Sequence, residues 1–87
     1  MAKKQINFYT RPGCHLCEDA LEVLQELRGE FKFDIEIVDI SDSPELVSLY
    51  GKDIPVAELG GRRIFKHRAD PRSLRRVLDR KLGLPRL

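Results

Sequence analysis

No run of apolar residues in this sequence approaches the ~18–20 needed to cross a bilayer, so no membrane span is expected. The basic start Met1-Ala2-Lys3-Lys4-Gln5 leads into no apolar stretch, which argues against a secretory leader. Linkers rich in Pro, Gly or Ser, low-complexity tracts and internal repeats are all missing. The 87 residues are too few for two domains of about 100–150 residues each. Only two cysteines occur, and without a second pair they make a poor zinc site. What is present suits a small soluble globule: 41% of residues are hydrophobic and 34% charged, unlike a disordered tail. The expectation is one cytoplasmic domain over residues 1–87.

Charge is divided along the chain beneath a net value of +2. Residues 1–61 hold six basic residues against twelve acidic ones, a net of −6. Residues 62–87 hold ten against two, a net of +8. The basic half reads first as a solvated helix face, and second as a surface for an acidic partner or nucleic acid. The first reading is preferred, and no nucleic-acid partner is expected.

Gln5 to Thr10 alternates, with Ile6 and Phe8 on one side of a short strand. A turn at Arg11-Pro12-Gly13 leads into a helix beginning around Cys14. Its apolar positions Cys17, Ala20, Leu21, Leu24 and Leu27 fall at spacings of three and four, and Gly29 is placed to end it. Phe31, Phe33, Ile35 and Ile37 alternate with polar residues, as in a strand with one wet face at a sheet edge. Ser43-Pro44 caps a short helix through Leu46, Leu49 and Tyr50, with Gly51 as its stop. Pro55 to Leu59 and Arg62 to Lys66 are strands joined by the hairpin turn Gly60-Gly61. Asp70-Pro71 opens a last helix carrying Leu74, Val77, Leu78 and Leu82, with Gly83 and Pro85 beyond. The order βαβαββα places the first two strands parallel, with helices on both sheet faces. The fold class is a small α/β sandwich.

The two cysteines read Cys14-His15-Leu16-Cys17, a spacing expected in roughly 2% of random placements. They also sit where a strand turns into a helix. One helical turn brings both thiols close enough for a small disulfide ring. The first residues of a helix have unpaired N–H groups at the positive end of its dipole. A thiol placed there has a pKa of roughly 3.5–7.5, against about 8.5 unperturbed. Arg11 adds positive charge nearby. Cys14 is therefore the candidate nucleophile, and Cys17, one turn inside on the apolar face, the resolving thiol. His15 has two readings, a tuner of Cys14 or an exposed side chain at the helix start. His67 reads as an exposed loop residue.

From Ile6–Tyr9 to the last helix, the sequence resembles the glutaredoxin family of the thioredoxin-like superfamily. The resemblance is strongest at Tyr9-Thr10-Arg11-Pro12-Gly13-Cys14-His15-Leu16-Cys17. It continues through Asp53-Ile54-Pro55-Val56, which looks like the family's cis-proline segment, and the turn Gly60-Gly61. It implies a thioredoxin-like four-stranded mixed sheet of order 2-1-3-4 flanked by three helices, the first and last on one face. It also implies a cis Ile54–Pro55 bond that turns the N–H and C=O of Ile54 toward a cleft, to pair with an extended substrate. Two departures stand out. His15-Leu16 replaces the family's usual Pro-Tyr, and His67-Arg68-Ala69-Asp70 falls where the family carries Gly-Gly and an acidic residue. In place of that Gly-Gly contact, Arg68 is the candidate partner for a glutathione carboxylate. Asp70 could receive the ligand's ammonium or cap its own helix.

The expected activity is dithiol thiol–disulfide exchange between Cys14, Cys17 and a protein disulfide or glutathione mixed disulfide. The reductant would be glutathione, as co-substrate, or a thioredoxin-reductase-like protein. No tightly bound cofactor and no resident metal are expected. The alternatives are an iron–sulfur or metal carrier using Cys14, which the resemblance permits, and a redox-inactive adaptor using the basic last helix.

Overall fold

Seven elements follow one another in the computed structural model, which describes residues 4–82. They are β1 (Lys4–Thr10), α1 (His15–Leu27), β2 (Phe33–Asp39), α2 (Pro44–Tyr50), β3 (Val56–Leu59), β4 (Arg62–Lys66) and α3 (Pro71–Leu82). Gly83 and Pro85, expected beyond the last helix, lie outside the described residues.

The sheet order is β2-β1-β3-β4, as expected. β1 pairs in parallel with β2, from Lys4 opposite Phe33 to Thr10 opposite Asp39. On its other side β1 runs antiparallel to β3, with Ile6 opposite Leu59 and Tyr9 opposite Val56. β3 turns into β4 through Gly60 and Gly61, whose φ angles of 62° and 81° suit a two-residue hairpin turn. A register shift between Ala57 and Glu58 follows on β3.

Alternation along the strands assigns each face. Ile6, Phe8, Ala57 and Leu59 point to one side and share a core with Cys17, Ala20, Leu24 and Leu27 of α1 and Leu74 and Leu78 of α3. The first and last helices therefore cover one face. Burying a Leu, Ile or Phe side chain fully stabilises the fold by about 1.5–3 kcal/mol. Ile6, Leu24 and Leu78 have no exposed surface, so this layer is the main source of stability.

The opposite face is thinner and partly polar. Tyr50, the last residue of α2, stacks on Tyr9 with ring centroids 4.0 Å apart. Its hydroxyl donates to a Glu58 carboxylate oxygen at 2.8 Å, and Arg63 lies over the ring at 5.3 Å. Burial, then the Glu58 carboxylate, push the Tyr50 phenol well above its ordinary pKa.

Three expectations are corrected. Phe31 precedes β2 rather than joining it, and is buried beneath the end of α1, donating to the Leu27 carbonyl. Ile37 stands opposite the buried Phe8 yet is 52% exposed, because β2 is the outermost strand and no further strand flanks it among the described residues. Leu49 of α2 is 61% exposed, and α2 buries no residue completely: its two turns reach the sheet mainly through Tyr50. Ser43 caps α2 as expected, its hydroxyl accepting from the Leu46 N–H at 3.2 Å. No helix among the described residues is long and apolar enough to cross a membrane.

Candidate active site

The redox pair is built by the junction of β1 and α1. Gly13 enters it at φ 78°, a left-handed conformation that costs glycine little. Cys14 then adopts an extended backbone (φ −99°, ψ 102°) and becomes the N-cap of α1. A sulfur stands where Ser or Asp usually caps. The Cys14 Sγ accepts from the Cys17 N–H at 3.1 Å, and the Cys14 carbonyl accepts from the Glu18 N–H. Cys14 and Cys17 are joined as a disulfide, with Cα atoms 5.2 Å apart. Their exposures differ: Cys17 is 3% exposed within the core, whereas Cys14 is only partly buried at its edge.

His15 points outward. Its side chain is 92% exposed and lies 3.5 Å from Glu18, one turn along the helix. The exposed reading holds, and the sulfur's hydrogen-bond partner is the Cys17 N–H rather than an imidazole.

The remaining expected residues come from the same junction, at Arg11, and from two other loops, which the topology gathers at the same end of the sheet. β1 finishes there, β3 begins there one residue after Pro55, and β4 ends there against Val56. The Ile54–Pro55 peptide is cis. Ile54 is partly buried against the same core that supports Cys14. Its N–H, however, donates to the Tyr50 carbonyl at 3.0 Å. The expectation of a free Ile54 N–H is therefore corrected: the end of α2 takes up that donor, so an added substrate strand would have to use the Ile54 carbonyl. Arg11 and Arg68 are exposed at this end, and the Arg68 N–H donates to the Lys66 carbonyl.

Asp70 does cap α3, accepting from the Ser73 N–H at 3.0 Å. Hydrogen bonds from the Ser73 side chain and backbone, with Arg72 and Arg76 nearby, hold its carboxyl below the usual carboxylate pKa. A depressed native pKa gives stability that is complete above the unfolded value of about 3.9 and lost as pH falls through the native one. Asp70→Ala should therefore lower the thermal midpoint at pH 7. The gap from the unsubstituted protein should close as pH drops below about 4. A gap that stays constant across that range would contradict the assignment.

A second layer behind the cis-proline was not legible as a site. Asp53 receives Arg63 at 2.8 Å and lies 3.7 Å from the His67 imidazole. The Arg63 hydrogen bond, with Lys66 and His67 nearby, holds the Asp53 carboxyl below its ordinary range. The His67 N–H donates to two carbonyls, of Asp53 at 3.0 Å and Pro55 at 2.8 Å. His67 does so at φ 71°, the left-handed backbone expected of glycine. The available signal was positional: His67 occupies the place of the family's Gly-Gly, and it is the one non-glycine residue at positive φ among the described residues. His67 is more than an exposed loop residue. It fastens the chain leaving β4 to the loop that carries Pro55.

A family model described as glutaredoxin-like domain (DUF836) matches residues 5–79. The chain is 37% identical over 71 residues to "Glutaredoxin-like protein YDR286C homolog" of Dictyostelium discoideum, covering 75% of this chain and 66% of that protein. It therefore spans about two thirds of that relative's length. A Mycobacterium bovis protein named only as uncharacterized is 32% identical over 85 residues, covering 92% of this chain and 88% of its own. Among solved structures, the X-ray structure of target protein XcR50 from X. campestris superimposes with a TM-score of 0.75 at 33% identity. That alignment covers 92% of this chain and 99% of the other. The solution structure of protein Ne2328 from Nitrosomonas europaea gives 0.76 at 24% identity, covering 88% and 93%, a likeness of fold. The chain belongs to the glutaredoxin-like family, on a thioredoxin-like fold.

Proposed function

We propose that this protein is a dithiol thiol–disulfide oxidoreductase. The observation that carries the reading is the asymmetry of the pair: a partly buried cysteine at the helix cap, and a fully buried one a turn inside. In the reduced protein, the Cys14 thiolate attacks one sulfur of a substrate disulfide. A mixed disulfide forms, and the other substrate sulfur leaves as thiolate. Cys17, after losing its proton, attacks the Cys14 sulfur and expels the second substrate thiolate. Two electrons have then passed to the substrate, leaving the Cys14–Cys17 disulfide. A thiol reductant returns it to the dithiol. Helix N–H groups and the dipole favour the thiolate at Cys14 over Cys17.

In this reading, substrate and reductant would both meet Cys14 at the same end of the sheet. The oxidant is a protein disulfide or a glutathione mixed disulfide, and the reductant glutathione or a thioredoxin-reductase-like protein. No tightly bound cofactor enters the cycle. A cytoplasmic setting agrees with it, since thiols there are kept reduced. The test is turnover of a small disulfide with glutathione and its reductase, or with thioredoxin reductase, supplied separately. Turnover with neither would sink the reading.

Where glutathione drives turnover, Arg68→Ala should raise its apparent KM about three- to tenfold with little change in kcat. That is the pattern of lost uniform binding. Unchanged kinetics would remove Arg68 from glutathione recognition and favour a protein reductant.

A further inference from the structure

Away from the redox pair, the start of β1, the β3–β4 turn and the last turn of α3 enclose a groove of about 830 Å³. This lies within the ~300–1,000 Å³ of small-molecule sites. Lys4, Arg62, Arg80 and Lys81 line it, with Leu59 and Gly60 between them, and no acidic side chain does among the described residues. The contrast with other arginines is informative: Arg63 and Arg75 are paired with Asp53 and Glu30. The groove's four cations enter no ion pair among the described residues. Like charges around one concavity repel, and an anionic ligand would relieve that repulsion.

Backbone adds to the argument. Gly60 has φ 62°, and a Cβ built on it would meet nothing within 4 Å. A ligand can therefore approach the main chain of the turn closely. Arginine forks bind phosphate oxygens bidentately, while lysines act there as point charges. Four cations match two or more phosphate charges better than a single carboxylate. A long polyanion fits less well, because α1, which covers the same sheet face as α3, carries the exposed acids Glu18, Asp19, Glu22 and Glu26. We infer that this groove binds a phosphorylated small molecule carrying at least two phosphate charges. β1 spans about 20 Å between the groove and the turn before Cys14, so the two sites are physically separate.

The experiment is a titration of the full chain with pyrophosphate and with ADP, followed by amide chemical shifts at near-physiological salt. Shifts should centre on Lys4, Gly60, Arg62 and Arg80 at millimolar ligand or below. The double substitution Arg62→Glu with Arg80→Glu should weaken ADP binding about tenfold or more. Arg72→Glu with Arg76→Glu, the same charge change at the other end of α3, should weaken it less than about threefold. Disulfide reduction should be preserved in both variants. Equal losses in the two variants, or no shifts at millimolar ligand, would overturn the site. So would tighter binding of a short single-stranded oligonucleotide than of ADP at equal phosphate concentration, which would mark a nucleic-acid surface instead.

Discussion

Cys14→Ser should abolish disulfide reduction, whereas Cys17→Ser should leave the first step intact and accumulate mixed disulfides with substrate. The two outcomes differ because the sulfurs hold different places. Cys14 lies at the edge of the core, at the helix cap, where an incoming disulfide can align with it. Cys17 is buried and reaches only Cys14. A serine oxygen at residue 14 still caps the helix but is a far weaker nucleophile at neutral pH, so turnover falls by several orders of magnitude. With serine at residue 17, exchange stops after one step, because no internal thiol can release the adduct. Mass spectrometry after mixing with a model disulfide reads both results directly. Iodoacetamide mapping against pH adds a check, with Cys14 labelling faster and from a lower pH than Cys17. Rapid labelling of Cys17 instead, or adducts on Cys17 in the Cys14→Ser protein, would reverse the roles.

The second large effect concerns the fold. Phe8→Ala should destabilise the protein by about 3–5 kcal/mol, the usual cost of deleting a buried aromatic ring. Phe8 is 1% exposed on the central strand, packs near Phe65 with centroids 6.4 Å apart, and belongs to the core that also supports both cysteines. Domains of this size hold only about 5–15 kcal/mol in total, so the thermal midpoint should fall by about 15–30 °C. The strand partner of Phe8 supplies the control. Ile37→Ala, on the exposed edge, should cost well under Phe8→Ala, about 1 kcal/mol or less. Denaturant melts of the oxidised proteins measure both. Similar losses in the two variants would contradict the burial assigned to each.

What could be read from the sequence was what repeats or what is rare. Alternation at Ile6 and Phe8 gave β1 and its buried face, and the three-four spacing from Cys17 to Leu27 gave α1. The Cys14–Cys17 spacing located the chemistry without any structure. Residues whose partners are distant in sequence were harder. Tyr9, Tyr50, Glu58 and Arg63 form one layer, yet none of them taken alone announces it. Periodicity reports burial against one face, so it cannot announce a polar cluster assembled from β1, α2, β3 and β4. The same limit explains Ile54. Its N–H is consumed by the Tyr50 carbonyl, a bond set by how α2 ends rather than by residues 54 and 55. Ile37 failed differently: alternation marks the face of a strand but not where cover over that face stops.

The left-handed backbone at His67 also narrows the alphabet available at that position. Its N–H must reach the carbonyls of both Asp53 and Pro55, so proline cannot serve there. β-branched residues are excluded by their crowding at positive φ. Glycine satisfies the shape with the least strain but offers no imidazole to Asp53; asparagine and aspartate tolerate the shape, and aspartate would set a second carboxylate beside the first. Histidine is thus one of very few side chains that can both occupy this corner and bring a titratable nitrogen to the loop behind Pro55. A change there would alter the chain's route between β4 and α3 before it altered any contact made by the ring.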